Sequence, residues 1–190
     1  MRRLVRIFIV SVTVLLLSAS LAMAETSWCW VSECRGTDED DTIHGGKRSQ
    51  TVYVYDGDDT VYARGGGDKV YGAEASDTIY GELGPDYLYG SQGGDGILGG
   101  EGPDHLYGNQ DDDYLYGQVG NDTINGGADE DHLYDQAKYD ADRLSGGDDR
   151  DYLDAADKDS RDIISGGDGY DVCVGDRGDT FRSCEDKRIR

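Results

Sequence analysis

The sequence predicts an all-β chain wound as a solenoid, with short strands stacked into two facing parallel sheets. Three observations carry that prediction. A nine-residue repeat holds phase for eleven rows, from Gly36 to Tyr134. The eighth place of every row is aliphatic: Ile43, Val52, Val61, Val70, Ile79, Leu88, Ile97, Leu106, Leu115, Ile124 and Leu133. Most rows close on a triplet with strand propensity, such as Thr-Val-Tyr or Tyr-Leu-Tyr.

In chain order, the first element is a leader. "MRRLVRIFIVSVTVLLLSASLAMA" has three arginines, an apolar run and a small-residue ending at Ala22-Met23-Ala24, the pattern of a secretory signal spanning 1–24. A retained membrane anchor is the alternative reading, although the apolar run is short for a spanning helix. The chain is expected to be secreted, at the cell surface, outside the cell or in a periplasm, and not inserted in the membrane after the leader is removed. Its formal charge of −22 counts against nucleic acid and anionic membrane as partners and permits a cationic one, divalent metal first of all.

Residues 25–35 form a cap ahead of the repeat, with Trp28, Trp30 and a tight Cys29–Cys34 loop. The four cysteines allow three pairings. The local pairs Cys29–Cys34 and Cys173–Cys184 are favoured because each sits at one end of the repeat, in a chain bound for an oxidising compartment. Zinc is the alternative for a cysteine cluster, but neither spacing suits it.

Residues 36–134 are the regular rows. Each reads as a six-residue turn followed by a three-residue strand. Glycine at the first and fourth places permits positive φ and close backbone approach. The eighth residue faces inward and its neighbours outward, so two successive rows make one coil of 18 residues around a thin core. Asp fills the sixth place in ten of the eleven rows: Asp41, Asp59, Asp68, Asp77, Asp86, Asp95, Asp104, Asp113, Asp122 and Asp131, with Gln50 as the exception. Residues 135–174 are irregular rows of the same roll. Asp135–Ser145 and Ala155–Ser165 have eleven residues, and the extra two are read as bulged turns because Leu144 and Ile164 keep the apolar place. Residues 175–190 form a C-terminal cap and basic tail, with Phe181 folding onto the core and Cys184 returning to Cys173.

The row resembles the hemolysin-type, or repeat-in-toxin, calcium-binding nonapeptide Gly-Gly-x-Gly-x-Asp-x-apolar-x, and "GGEGPDHLY" and "GGDGYDVCV" match it at every place. The resemblance implies a right-handed parallel β-roll with several Ca²⁺ ions between turns stacked one coil apart. Carried onto this chain, it implies that the sixth-place acids named above, with Asp151 and Asp171, are the metal ligands, together with turn carbonyls. Many such repeats lie at the C-terminal end of large toxins or proteases. This sequence opens instead with an export leader and shows no enzyme domain beside the repeat, so those activities are not carried over.

A metal is also expected on energetic grounds. Burying one aliphatic side chain per row returns about 1.5–3 kcal/mol, little against the entropy of ordering nine residues. Stacked acids add repulsion. A hard cation with oxygen ligands relieves both, and calcium tolerates a mixed carboxylate and carbonyl cage better than magnesium does. Folding is therefore expected to be coupled to Ca²⁺. The two edges differ. Gly66, Gly84, Gly102 and Gly120 fill the fourth place on one, where well-shaped sites are expected. Glu39, Gly57, Ala75, Gly93, Asp111 and Asp129 fill it on the more acidic other, where weaker ion binding is expected.

The expected role is structural or adhesive. Tyr53, Tyr62, Tyr71, Tyr80, Tyr89, Tyr107, Tyr116 and Tyr134 occupy the ninth place and should form outward ladders. These serve either cross-strand stacking or a surface that binds glycan, another cell-surface partner or a second copy. His44, His105 and His132 have no nucleophile paired with them by the pattern, and a narrow roll offers no evident cleft for a carboxylate pair, so an enzyme is not expected.

Overall fold

β-branched and aromatic residues at the ends of the rows favour extended backbone, and in the computed structural model the described residues, caps included, form nineteen strands. The structure describes residues 26–158 and 161–190; the leader lies outside them. Along the chain the strands are β1 (Thr26–Trp28), β2 (Glu33–Arg35), β3 (Thr42–His44), β4 (Thr51–Tyr55), β5 (Thr60–Tyr62), β6 (Lys69–Ala73) and β7 (Thr78–Leu83). There follow β8 (Tyr87–Gln92), β9 (Gly96–Glu101), β10 (His105–Gln110), β11 (Tyr114–Val119), β12 (Thr123–Gly127) and β13 (His132–Tyr134). The last are β14 (Arg143–Asp148), β15 (Tyr152–Asp154), β16 (Ile163–Asp168), β17 (Val172–Gly175), β18 (Thr180–Arg182) and β19 (Asp186–Ile189).

Odd strands form one sheet of ten and even strands a second sheet of nine, every pairing parallel. Consecutive strands thus alternate between sheets, and each pairs with the strand one coil away. Leu88, Leu106, Ile124 and Leu144 pair in succession in one sheet, and Ile79, Ile97, Leu115 and Leu133 in the other. These side chains are fully buried and form a single column between the sheets.

The strands are longer than the row pattern implies. β8 to β11 each span six residues, because the pairing continues through the first places of the next row. The burial alternation also continues, so Gly90, Gly99, Gly108 and Gly117 face inward as well. The cross-section of these rows therefore holds an aliphatic side chain, a glycine and the sixth-place acid.

The torsions correct the reading of the first-place glycines. Positive φ falls at the second and fourth places, as at Glu82, Asn109, Gln118 and Gly100, and at Gly84, Gly102, Gly120 and Asp111. First-place glycines run on in the strand and are needed for another reason, given below. In the long rows the extra residues lie in the connections between Tyr134 and Arg143 and between Asp154 and Ile163, and the pairing offset there grows from 18 residues to 20.

Both caps extend the sheets. β1 and β2 pair with β3 and β4, and β18 and β19 with β16 and β17. Disulfides join Cys29 to Cys34 and Cys173 to Cys184. The first pair closes the core, and Phe181 packs against its far end. Trp28 and Trp30 do not close it. They are exposed and stack on each other at 6.0 Å, with Trp28 continuing to His44 at 4.8 Å. Among the described residues no helix is long and apolar enough to cross a membrane.

Candidate metal centre

Each sixth-place acid ends a turn and begins a strand, so the roll stacks these acids one coil apart. All twelve sequence-predicted Asp residues are buried. They fall into two ladders, one along each edge. In the first, the Asp41 amide donates to Asp59 Oδ1 at 2.6 Å, Asp59 to Asp77 at 2.9 Å and Asp77 to Asp95 at 2.7 Å. Asp113, Asp131, Asp151 and Asp171 continue the series, and the Asp171 amide ends it on Glu185 Oε2 at 3.0 Å. In the second, the Gln50 amide donates to Asp68 at 2.6 Å, and Asp86, Asp104 and Asp122 follow.

The second ladder does not stop at Asp122. The Asp122 amide donates to Asp142 Oδ1 at 2.9 Å, Asp142 to Asp162 at 2.9 Å, and Asp162 to Asp179 at 3.3 Å. The acids of the two long rows, Asp142 and Asp162, are therefore ladder members that the row count missed. The signal that finds them is the spacing to the aliphatic place. In ten of the eleven regular rows an acid stands two residues before it, and Asp142 and Asp162 stand two before Leu144 and Ile164.

The other carboxylate oxygen is the chemically telling one. Oδ2 of Asp59, Asp68, Asp77, Asp86, Asp95, Asp104, Asp113, Asp122, Asp131, Asp151 and Asp171 is buried and has no hydrogen-bond partner. An ionised oxygen in that setting is costly unless a cation meets it. Its position also accounts for the first-place glycines. A Cβ at Gly81 would stand 2.6 Å from Asp86 Oδ2, and one at Gly99 would stand 2.6 Å from Asp104 Oδ2. Glycine there leaves the room that the carboxylate occupies.

At the N-terminal end, protein donors fill the same position. Asp41 Oδ2 accepts from the Thr37 amide at 2.6 Å and its hydroxyl at 3.0 Å. Gln50 Oε1 accepts from the Gly46 amide at 2.6 Å, while its Nε2 donates to the Cys29 and Val31 carbonyls. The one neutral residue in the series thus sits where the cap supplies its partners.

Burial raises these carboxyls well above their ordinary range, partly offset by the amide that each accepts. Asp77, Asp104 and Asp113 are pushed up to about 8, Asp68, Asp95, Asp131 and Asp151 to about 7, and Asp59, Asp86 and Asp122 to about 6. Two stacked columns of such groups fit a hard divalent ion. They offer oxygen ligands, carry negative charge and leave one oxygen of each carboxylate unused. A carboxylate set of this kind suits calcium and offers nothing to a soft metal.

The comparisons agree with that chemistry. The family model described as the RTX calcium-binding nonapeptide repeat (4 copies) matches five stretches, residues 35–70, 71–106, 98–133, 136–158 and 156–181. The chain belongs to this family. No curated protein matches it. The RTX family is defined by a calcium-binding repeat and not by a catalytic one, so the chain is a calcium-binding repeat protein with a structural roll. The RTX match runs through both long rows, in keeping with their place in the ladder.

The acidic edge has its own outer contacts. The Asp58 amide donates to Asp40 Oδ1 at 3.0 Å, the Gly93 amide to Asp111 Oδ2 at 3.0 Å, and the Asp111 amide to Asp129 Oδ2 at 3.2 Å. Exposed acids on that edge therefore act in part as acceptors for neighbouring turns. On the outer faces, Tyr53, Tyr71, Tyr89 and Tyr107 stack at 5.0, 5.0 and 4.9 Å. Tyr62–Tyr80 and Tyr116–Tyr134 stack at 4.9 Å, and Leu98 stands between those two pairs.

Proposed function

We propose that this chain is a secreted protein whose roll forms when Ca²⁺ binds, and that its role outside the cell is structural or adhesive. The observation that carries the reading is the pair of Asp ladders with a buried, unpartnered Oδ2 on nearly every rung. Asp59, Asp68, Asp77, Asp86, Asp95, Asp104, Asp113, Asp122, Asp131, Asp151 and Asp171 are assigned as ligands, with Asp142 and Asp162 added from the ladder geometry, while Asp41, whose Oδ2 is met by Thr37, ends the ladder without metal. Without metal these carboxyls either stay protonated or repel one another. With it they become the cross-links between coils, and binding energy becomes folding energy.

The Tyr ladders favour the structural role over glycan binding. Their rings lie 4–7° from parallel, so each inner ring has its faces covered by its neighbours in the column. Sugar stacking needs a free face. Loss of glycan binding in the double variant Tyr89→Ala, Tyr107→Ala would favour the rival reading.

The direct test is circular dichroism of the chain from residue 25 onward, first in chelator and then with calcium or magnesium added. The β signal should appear with calcium at concentrations where magnesium has little effect. A full β signal and a cooperative melt in chelator, unchanged by either ion, would overturn the reading.

A further inference from the structure

The first place of each row faces the core, and in the described rows it holds glycine, alanine or valine except at Asp135. Asp135 is 1 % exposed. Its amide donates to the Asp154 carbonyl at 2.9 Å, which keeps the backbone in the sheet register and turns the side chain inward. Neither carboxylate oxygen has a partner with good hydrogen-bond geometry, although the Ala137 amide and the Asp122 carboxyl lie close enough to act on it. One coil earlier the first place is Gly117, and a Cβ there would collide with Asp135 Oδ2 and stand 2.7 Å from Asp122 Oδ2. Gly117 thus opens the space in which the two carboxylates meet. Asp142, from the same row as Asp135, completes the group: one oxygen from each of the three lies within 4.8 Å of the others.

We propose that Asp122, Asp135 and Asp142 form a three-carboxylate calcium site inside the roll, tighter than any other site on the chain. This rests on the calcium reading above and adds to it. An ordinary rung brings together two sixth-place acids, one from each of two coils, whereas this site adds a third carboxylate from the core-facing place. Calcium takes six to eight oxygens, and its affinity rises with the number of charged ligands and with the rigidity of the cage. Asp135 can offer both its oxygens, and Asp122 and Asp142 the ones their ladder bonds leave over, with turn carbonyls or water to fill the shell. Asp135 is set on sheet-paired backbone and Asp122 and Asp142 in the ladder, so the site is rigid. Its ligands come from two successive coils, so the bound ion also fixes the point at which the pairing offset changes from 18 residues to 20.

The test is isothermal calcium titration of the wild type and of Asp135→Gly, with circular dichroism in parallel. Glycine is the regular first-place residue, so the variant should reach the wild-type spectrum in saturating calcium. The wild type should bind one ion at least tenfold more tightly than the rest, and Asp135→Gly should lose that phase and one equivalent of calcium. In chelator the variant should hold at least as much β structure as the wild type, because a buried acid has been removed. An unchanged tight phase and stoichiometry would overturn the proposal, as would a loss of β structure in chelator, which marks a merely structural residue. If Asp135→Gly does not fold, Asp135→Asn decides by the same criteria. Failure of the wild type to bind calcium at all would instead overturn the reading of the whole ladder.

Discussion

At Gly99 the chain runs through β9, outside the left-handed region, and a Cβ would stand 2.6 Å from Asp104 Oδ2 and 2.7 Å from the Gly117 carbonyl. Gly96, three residues earlier, has its nearest neighbour at 3.9 Å. The two glycines look alike in sequence and differ in what they exclude. Gly99→Ala should cost about 1–3 kcal/mol through overpacking and raise the calcium concentration at the folding midpoint. Gly96→Ala should be neutral or slightly stabilising. Calcium titrations followed by circular dichroism compare the two. The second-place residues show another hidden constraint. Glu82, Asn109 and Gln118 hold positive φ with no glycine to mark the position.

Strands are stabilised here across their outer faces as well as inside. Tyr89 stacks on both Tyr71 and Tyr107, whereas Tyr107 stacks on Tyr89 alone and has Asn125 as its next neighbour. Each aromatic pair contributes about 0.5–1.5 kcal/mol beyond area, so Tyr89→Ala should destabilise the calcium-loaded roll by about twice as much as Tyr107→Ala in urea unfolding. Much at this scale was legible in the sequence. The nine-residue phase located every regular strand, the eighth place gave the core column, and the ninth gave the Tyr ladders, because strand geometry turns a period in the chain directly into faces. What escaped was set by contacts between coils. Six-residue strands arise because first-place glycines pair with the next coil, and glycine's low strand propensity conceals that. Asp142 and Asp162 escaped because the extra residues displaced the count from the start of the row, although the distance to Leu144 and Ile164 was unchanged. Asp135 escaped because its partners, Gly117 and Asp122, lie a full coil away.

Across the whole molecule the buried acids make stability depend on pH and metal together. A carboxyl whose folded value lies above its ordinary 3.8 binds its proton more tightly when folded. That stabilisation is complete below about pH 3.8 and is lost as pH rises through the folded values of about 6 to 8. In chelator, therefore, β structure should decrease between pH 4.5 and pH 8. In saturating calcium the slope should reverse over the same window, because the ion binds the deprotonated ligands. Melting curves at the two pH values, with and without calcium, check both signs. An identical slope in the two conditions would show that the carboxylates and the metal are not linked.

The ladder bonds also have a direction. Each sixth-place amide donates to an oxygen supplied by the coil that follows it, and the two series close on Glu185 and Asp179 near the C-terminus. No coil can satisfy its own turn until the next has arrived. A chain that emerges amino end first can therefore close each coil only one step behind its own synthesis, and the last rungs wait for Glu185 and Asp179.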